Sequence, residues 1–386
     1  MLSADPRPIA PFRFHTVPRL VFGEGESASL ADHAAGLGDR VLLVTDPGIV
    51  ALGLHEDAVA SLGDRLAGIC SDIGPDPTRA MLEGAVALAR EVRATGIAGL
   101  GGGSPLDVAK LAALLADGPD DLDAIWGVDL ARGPRLPLAL VPTTAGTGSE
   151  VTPVAIITVG EGEDGAEKRG VSSPLLLPDV AVLDPTLTHG LPRAATAATG
   201  IDAMVHAIEA YASRNANNNP VSKALAKEAL RLLGANIEAA CEGVATARAP
   251  MLLGAMLAGQ AFANSPVAAV HALAYPLGGR FKVPHGLSNA VLLPHVLAFN
   301  AEDRAAKRAY GELAPLVDAH GADGLIARLD EIAAACGLEP GMAALGVREE
   351  HLDAMAVDAM RQTRLLVNNP REVSLADARA IYHAAL

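Results

Sequence analysis

Ile97-Ala98-Gly99-Leu100-Gly101-Gly102-Gly103-Ser104-Pro105 is the stretch on which the fold turns. Its first four residues form an apolar run of strand length, and they lead without a spacer into three glycines. Pro105 then stands where a helix should begin, and proline is favoured in a first turn because its missing N–H costs no bond there. The local reading is strand, glycine turn, helix. Successive glycines let backbone N–H groups of Gly102, Gly103 and Ser104 approach a pyrophosphate closely, and the helix N-terminus behind them adds a favourable dipole. Asp107, one turn on, caps the turn or holds the nicotinamide end. Taken alone the triplet is weak evidence, since an ordinary tight turn has the same composition.

The neighbouring segments repeat the pattern. Val41-Leu42-Leu43-Val44 reads as a buried strand ending at Thr45-Asp46, and Met81 to Val92 has helical spacing of apolar residues. Leu136 to Val141 reads as a third short strand, closing on Pro142-Thr143-Thr144-Ala145-Gly146-Thr147-Gly148-Ser149-Glu150. Strand, turn, helix, strand is the rhythm of a parallel α/β sheet of Rossmann-like type. The hydroxyls of Thr143, Thr144, Thr147 and Ser149 suit phosphate and ribose, although a threonine-rich loop also caps helices. Two such loops at strand ends of one sheet are far more specific than either alone, because ligands of open α/β sheets gather at those carboxyl ends. Asp46 reads equally as a partner of the adenosine ribose hydroxyls, which favours NAD over NADP, and as a helix cap before Pro47-Gly48.

From about Arg193 the chain becomes rich in Ala, Leu, Met and Glu. Val221 to Ala240, Pro250 to Asn264, Arg304 to His320 and Leu325 to Cys336 read as helices. The change places an α/β dinucleotide-binding domain at 1–192 and an all-α domain at 193–386. Gly160 to Gly170 is polar and glycine-rich, which predicts an exposed hairpin or loop.

With 386 residues, half of them hydrophobic, the chain has material for a large core and more than one domain. A formal net charge of -15 disfavours nucleic acid and anionic membrane as partners. Cys70, Cys241 and Cys336 are widely spaced and odd in number, so buried, inert thiols are expected rather than a disulfide framework. The start, with Pro6, Pro8 and Pro11, has no apolar secretory core, and no apolar run approaches the length of a membrane helix. A soluble cytoplasmic protein is the expectation.

The second half carries the metal chemistry. Asp202 and His206 stand four apart in a helical segment and share one face. His271 and His285 follow, and Pro276, Gly278, Gly279 and Pro284 are expected to break any helix between them, so that the imidazoles arrive from separate turns. One carboxylate and three imidazoles suit a divalent ion with an open position for substrate. Fe²⁺ and Zn²⁺ both fit this donor set, which equally describes satisfied core histidines and a helix-surface pair.

At these residues the chain resembles the iron-containing (group III) alcohol dehydrogenases. The likeness covers nearly the whole length and rests on Gly101–Lys110 (GGGSPLDVAK), Pro142–Glu150 (PTTAGTGSE), Asp184-Pro185, the Asp202/His206 helix, and His271 and His285 with Pro284-His285-Gly286. The resemblance implies a dehydroquinate synthase-like architecture with the active site in the cleft between domains, a metal on Asp202, His206, His271 and His285, and a homodimer. It also implies that Lys168 and Leu187 line the cofactor site and Phe262 the substrate pocket. The implied reaction is reversible hydride transfer between a small alcohol or aldehyde and NAD.

Two positions depart from the family pattern. Tyr275 stands where many members carry a histidine, and with a reference pKa of about 10 it is a poorer base at neutral pH. Asp76 replaces a frequent asparagine. These departures keep two enzymatic readings and one non-enzymatic reading in view: a hydroxyacid dehydrogenase (4-hydroxybutyrate, for example), a hydroxyacid–oxoacid transhydrogenase, or an inactive nucleotide-binding assembly subunit.

Overall fold

The computed structural model describes residues 9–160, 167–339 and 341–386. Pro6, Pro8 and the 161–166 part of the glycine-rich segment lie outside the described residues. The first half is built on a six-stranded sheet of β1 (Leu20–Phe22), β2 (Val41–Val44), β3 (Leu66–Cys70), β4 (Gly96–Gly101), β6 (Leu138–Pro142) and β9 (Val180–Leu183), all parallel. The strand order is β1-β9-β6-β4-β2-β3. β5 (Gly127–Val128), β7 (Val154–Val159) and β8 (Glu167–Ser172) form a small second sheet. Antiparallel β7 and β8 realise the expected hairpin on both sides of its tip.

The sheet follows from the sequence pattern. All four residues of β2 are buried because helices cover both faces of a parallel sheet, which is why its apolar run does not alternate. Each such side chain contributes about 1.5–3 kcal/mol on leaving water. β2 pairs with β3 on one side and β4 on the other, so the strand order reverses between β2 and β4, and a crevice opens at their carboxyl ends. Gly101 leaves β4 with φ 149°, and a side chain there would run into the Pro105 ring. The helix that follows spans Gly103–Leu115.

The second half is helical. Arg193–Ala212 packs against Pro220–Cys241, Arg248–Asn264 and His285–Asn300. Cys241 and Cys336 are buried as expected, whereas Cys70 is only partly so.

Two expectations need correction. The segment 304–320 is not one helix: Arg304–Leu313 stops, and a short tighter turn, Ala314–Val317, takes over at Pro315, which cannot continue an α-helical ladder. Pro276, Gly278 and Gly279 do not break the chain either. They lie inside one helix, Ala269–Phe281, where burial from Ala269 to Leu277 outweighs one missing backbone bond. The break comes at Lys282, in the left-handed conformation, and at Pro284, after which His285 opens the next helix. His271 and His285 therefore do come from separate elements.

Candidate active site

The Asp202 helix presents its polar side chains inward, among otherwise apolar residues. Asp202 and His206 are one turn apart and nearly fully buried. His271 lies in the first turn of its helix, and His285 at the very start of the next. All three imidazoles aim Nε2 at one carboxylate oxygen. Asp202 Oδ1 is 3.9 Å from His206, 3.7 Å from His271 and 3.7 Å from His285. Asp202, His271 and His285 form the tightest set, their ligand atoms all within 4.8 Å of one another. His206 flanks that set, with its ring stacked on His271 at 4.8 Å and on Phe262 at 4.3 Å.

The protonation pattern suits a cation. Burial pushes His206 down to about 3 and His285 down to about 4, so both imidazoles are neutral at pH 7 and offer lone pairs. Burial also opposes charge on His271, but Glu209 more than offsets it and raises this imidazole. Glu209 Oε2 accepts from His271 Nδ1 at 2.6 Å, which leaves Nε2 as the ligand nitrogen. Among the described residues that Nε2 is buried without a hydrogen-bond partner, as is Asn289 Oδ1. A buried lone pair with no donor is costly, and a metal ion is the species that an Asp/His set satisfies. The residues present therefore fit a divalent ion.

The four residues open on a cavity of about 610 Å³. Its far wall begins at the glycine turn: Gly103, Ser104, Asp107, Thr147, Ser149 and Lys168 all line it. Phe262 and Tyr275 line the metal side. Tyr275 sits one turn after His271, its ring 6.2 Å from that of His285, and burial raises its phenol further above the usual value. Lys168 Nζ pairs with Asp76 Oδ1 at 2.6 Å, so the acidic departure at position 76 neutralises the lysine.

Other expected cofactor residues stand outside this cavity. The threonine loop lies directly on the glycine turn: Thr143 N–H donates to Gly101 C=O at 2.9 Å, and Thr144 faces Gly102. Asp46 takes up the capping geometry, its Oδ1 accepting from Ile49 N–H at 2.9 Å while Oδ2 stands beside Gly101. Leu187 is buried in the core beneath the sheet with Ile49, Val180 and Val182. The two halves meet at Gly148, where a side chain would meet the Gly259 backbone.

Sequence reasoning missed Glu209, Asn289 and Arg364. Asn289 Nδ2 donates to Asp202 Oδ1 at 2.6 Å, and Arg364 lines the cavity mouth. A signal existed for the first two: Glu209 follows His206 by three residues and Asn289 follows His285 by four, on the same helix faces.

Comparison with known proteins agrees across the chain. The family model described as iron-containing alcohol dehydrogenase matches residues 18–185, and that described as Fe-containing alcohol dehydrogenase family, C-terminal, matches residues 196–386. The chain is similar to long-chain-alcohol dehydrogenase 1 of Geobacillus thermodenitrificans, with 38% identity over 96% of this chain and 97% of the relative. It is similar in structure to a 1,3-propanediol oxidoreductase, with TM-score 0.92, 32% identity, and 98% and 100% of the two chains covered. A sulfoacetaldehyde reductase from Bifidobacterium kashiwanohense, solved in complex with NAD+, superimposes with TM-score 0.88 at 26% identity, covering 97% and 99% of the chains.

Proposed function

This chain belongs to the iron-containing alcohol dehydrogenase family, and from that premise we propose that it is a metal-dependent dehydrogenase interconverting a small alcohol and its aldehyde with NAD. The observation that carries this reading is the unmet His271 Nε2, placed beside Asp202 and His285 at one wall of a cavity whose other wall is the glycine turn. The alcohol dehydrogenase named among the relatives and the NAD+ named in a structural neighbour support it. They do not favour a hydroxyacid dehydrogenase, a transhydrogenase or an inactive subunit.

Asp202, His206, His271 and His285 hold the ion, Fe²⁺ or Zn²⁺. When bound, the ion supplies Lewis acidity toward an alcohol oxygen, and NAD supplies the two-electron acceptor. Glu209 fixes the tautomer of His271, and Asn289 orients Asp202. Gly102, Gly103, Ser104, Thr143, Thr144, Thr147 and Ser149 form the cofactor cradle, with Asp46, Asp107, Lys168 and Leu187 around it. Phe262 covers His206 and bounds the substrate space. Tyr275 keeps its proton at neutral pH and acts as a hydrogen-bond donor rather than a base. The protein works as a cytoplasmic homodimer. Among the described residues no helix is long and apolar enough to cross a membrane. The edge strand β1 exposes Leu20 and Phe22, as a strand awaiting a partner does.

The test is NADH formation from a panel of alcohols, using metal-stripped protein restored anaerobically with Fe²⁺ or Zn²⁺. Turnover that appears only with metal is expected. Binding of NAD without turnover under any metal would overturn the reading.

A further inference from the structure

Lys110 and Glu150 close the two sequence motifs Gly101–Lys110 and Pro142–Glu150, yet neither reaches the cavity. Both are buried, and Lys110 is wholly inaccessible. Lys110 Nζ donates to Ser149 Oγ at 2.7 Å, to Val154 C=O at 2.8 Å and to Thr152 Oγ1 at 3.3 Å. An ammonium has three N–H donors, and these three bonds use them all. Asp107 Oδ1 stands 3.6 Å from the same nitrogen, accepts from Ser149 Oγ at 2.6 Å, and its other oxygen accepts from Ile156 N–H at 2.9 Å.

Every group that Lys110 holds (Asp107, Ser149, Thr152 and Val154) lines the cavity, while Lys110 itself stands behind the wall. The helix that carries Lys110 begins at Gly103, whose turn lines the same cavity. We propose that Lys110 is a positioning residue of the dehydrogenase: it sets the distance between the glycine-turn helix and the 149–154 wall, and so the width of the cofactor cleft. The inference rests on the reading of this cavity as the NAD site. Its physical basis is that a buried cation with all its donors engaged is held by a single geometry, because any displacement leaves a desolvated charge unpaired. Burial lowers the Lys110 ammonium, and Asp107 and Glu150 oppose that shift. Lys110 donates no proton to substrate, having no donor free to do so.

The experiment measures the dissociation constant of NADH by its fluorescence in wild type and Lys110→Met, together with bound metal and the unfolding temperature. The metal residues sit on the helical half, so metal content reports separately on global damage. The expected result for Lys110→Met is an NADH dissociation constant and a KM for NAD raised about tenfold or more, with metal content unchanged. If Lys110→Met does not fold, Lys110→Met/Asp107→Asn removes the uncompensated carboxylate and is compared with Asp107→Asn alone; the same weakening is expected. A merely structural lysine would lower the unfolding temperature and leave NADH affinity and KM as in wild type, and that result overturns the proposal. Wild type that fails to bind NADH overturns instead the reading of the cavity.

Discussion

Two buried polar clusters face one another across the same cavity, and they differ in whether the protein satisfies them. On the sheet side, Lys110, Asp107, Ser149 and the Ile156 N–H bond to each other. On the helical side, His271 Nε2 and Asn289 Oδ1 have no partner among the described residues. Burial and residue type alone do not separate the clusters, since each contains buried carboxylates and nitrogen bases. The contrast teaches that the unsatisfied cluster is built to receive something, while the satisfied one is built to hold its neighbours still.

The sharpest way to break this contrast is to remove the carboxylate that three imidazoles share. Asp202→Ala is expected to lose the metal and to lower kcat by about a thousandfold or more, read by metal analysis and by turnover at saturating alcohol. Retained metal with full activity would place the ion elsewhere. A smaller effect is expected one shell out. Glu209→Gln keeps the shape but weakens the hydrogen bond that fixes His271, and metal affinity should fall by about 10–100-fold in competition with a chelator. An unchanged affinity would make Glu209 a packing contact only.

A third effect concerns the satisfied cluster and shows in stability rather than chemistry. Burial pushes Glu150 up to about 7, against an ordinary 4.5. Between those values the folded protein keeps a proton that the unfolded chain releases, so this carboxyl makes stability fall as pH rises from 4.5 through 7. Glu150→Gln is therefore expected to be more stable than wild type at pH 8, by on the order of 3 kcal/mol, with the gap closing toward pH 4.5. Denaturant midpoints at pH 8 and pH 5 measure it; a gap independent of pH would mean that Glu150 ionises freely.

Much of this was legible in the residues. The strands at Val41–Val44 and Ile97–Leu100, and the helix after Gly103, carry local signals: short apolar runs, a glycine turn and a proline in a first turn. Pro276 misled because a proline's missing donor is a local fact, whereas the packing that tolerates it is not. Leu187 and Asp46 show the same limit. Chain order places both beyond strand ends, but the neighbours each one has, Ile49 and Val180 for Leu187 and the Ile49 N–H for Asp46, come from the fold.

By itself the sequence determined a parallel α/β half and a helical half, because periodicity and turn chemistry act over a few residues; spacing offered only the Asp202/His206 pair, and the family resemblance added His271 and His285 as candidate metal residues. Only the tertiary structure decided which lone pairs stay unmet. Glu209 reaches His271 across 62 positions, Asn289 reaches Asp202 across 87, and Lys110 reaches Ser149 across 39. Whether a buried polar atom is satisfied depends on partners brought from that far along the chain, and no local pattern records it.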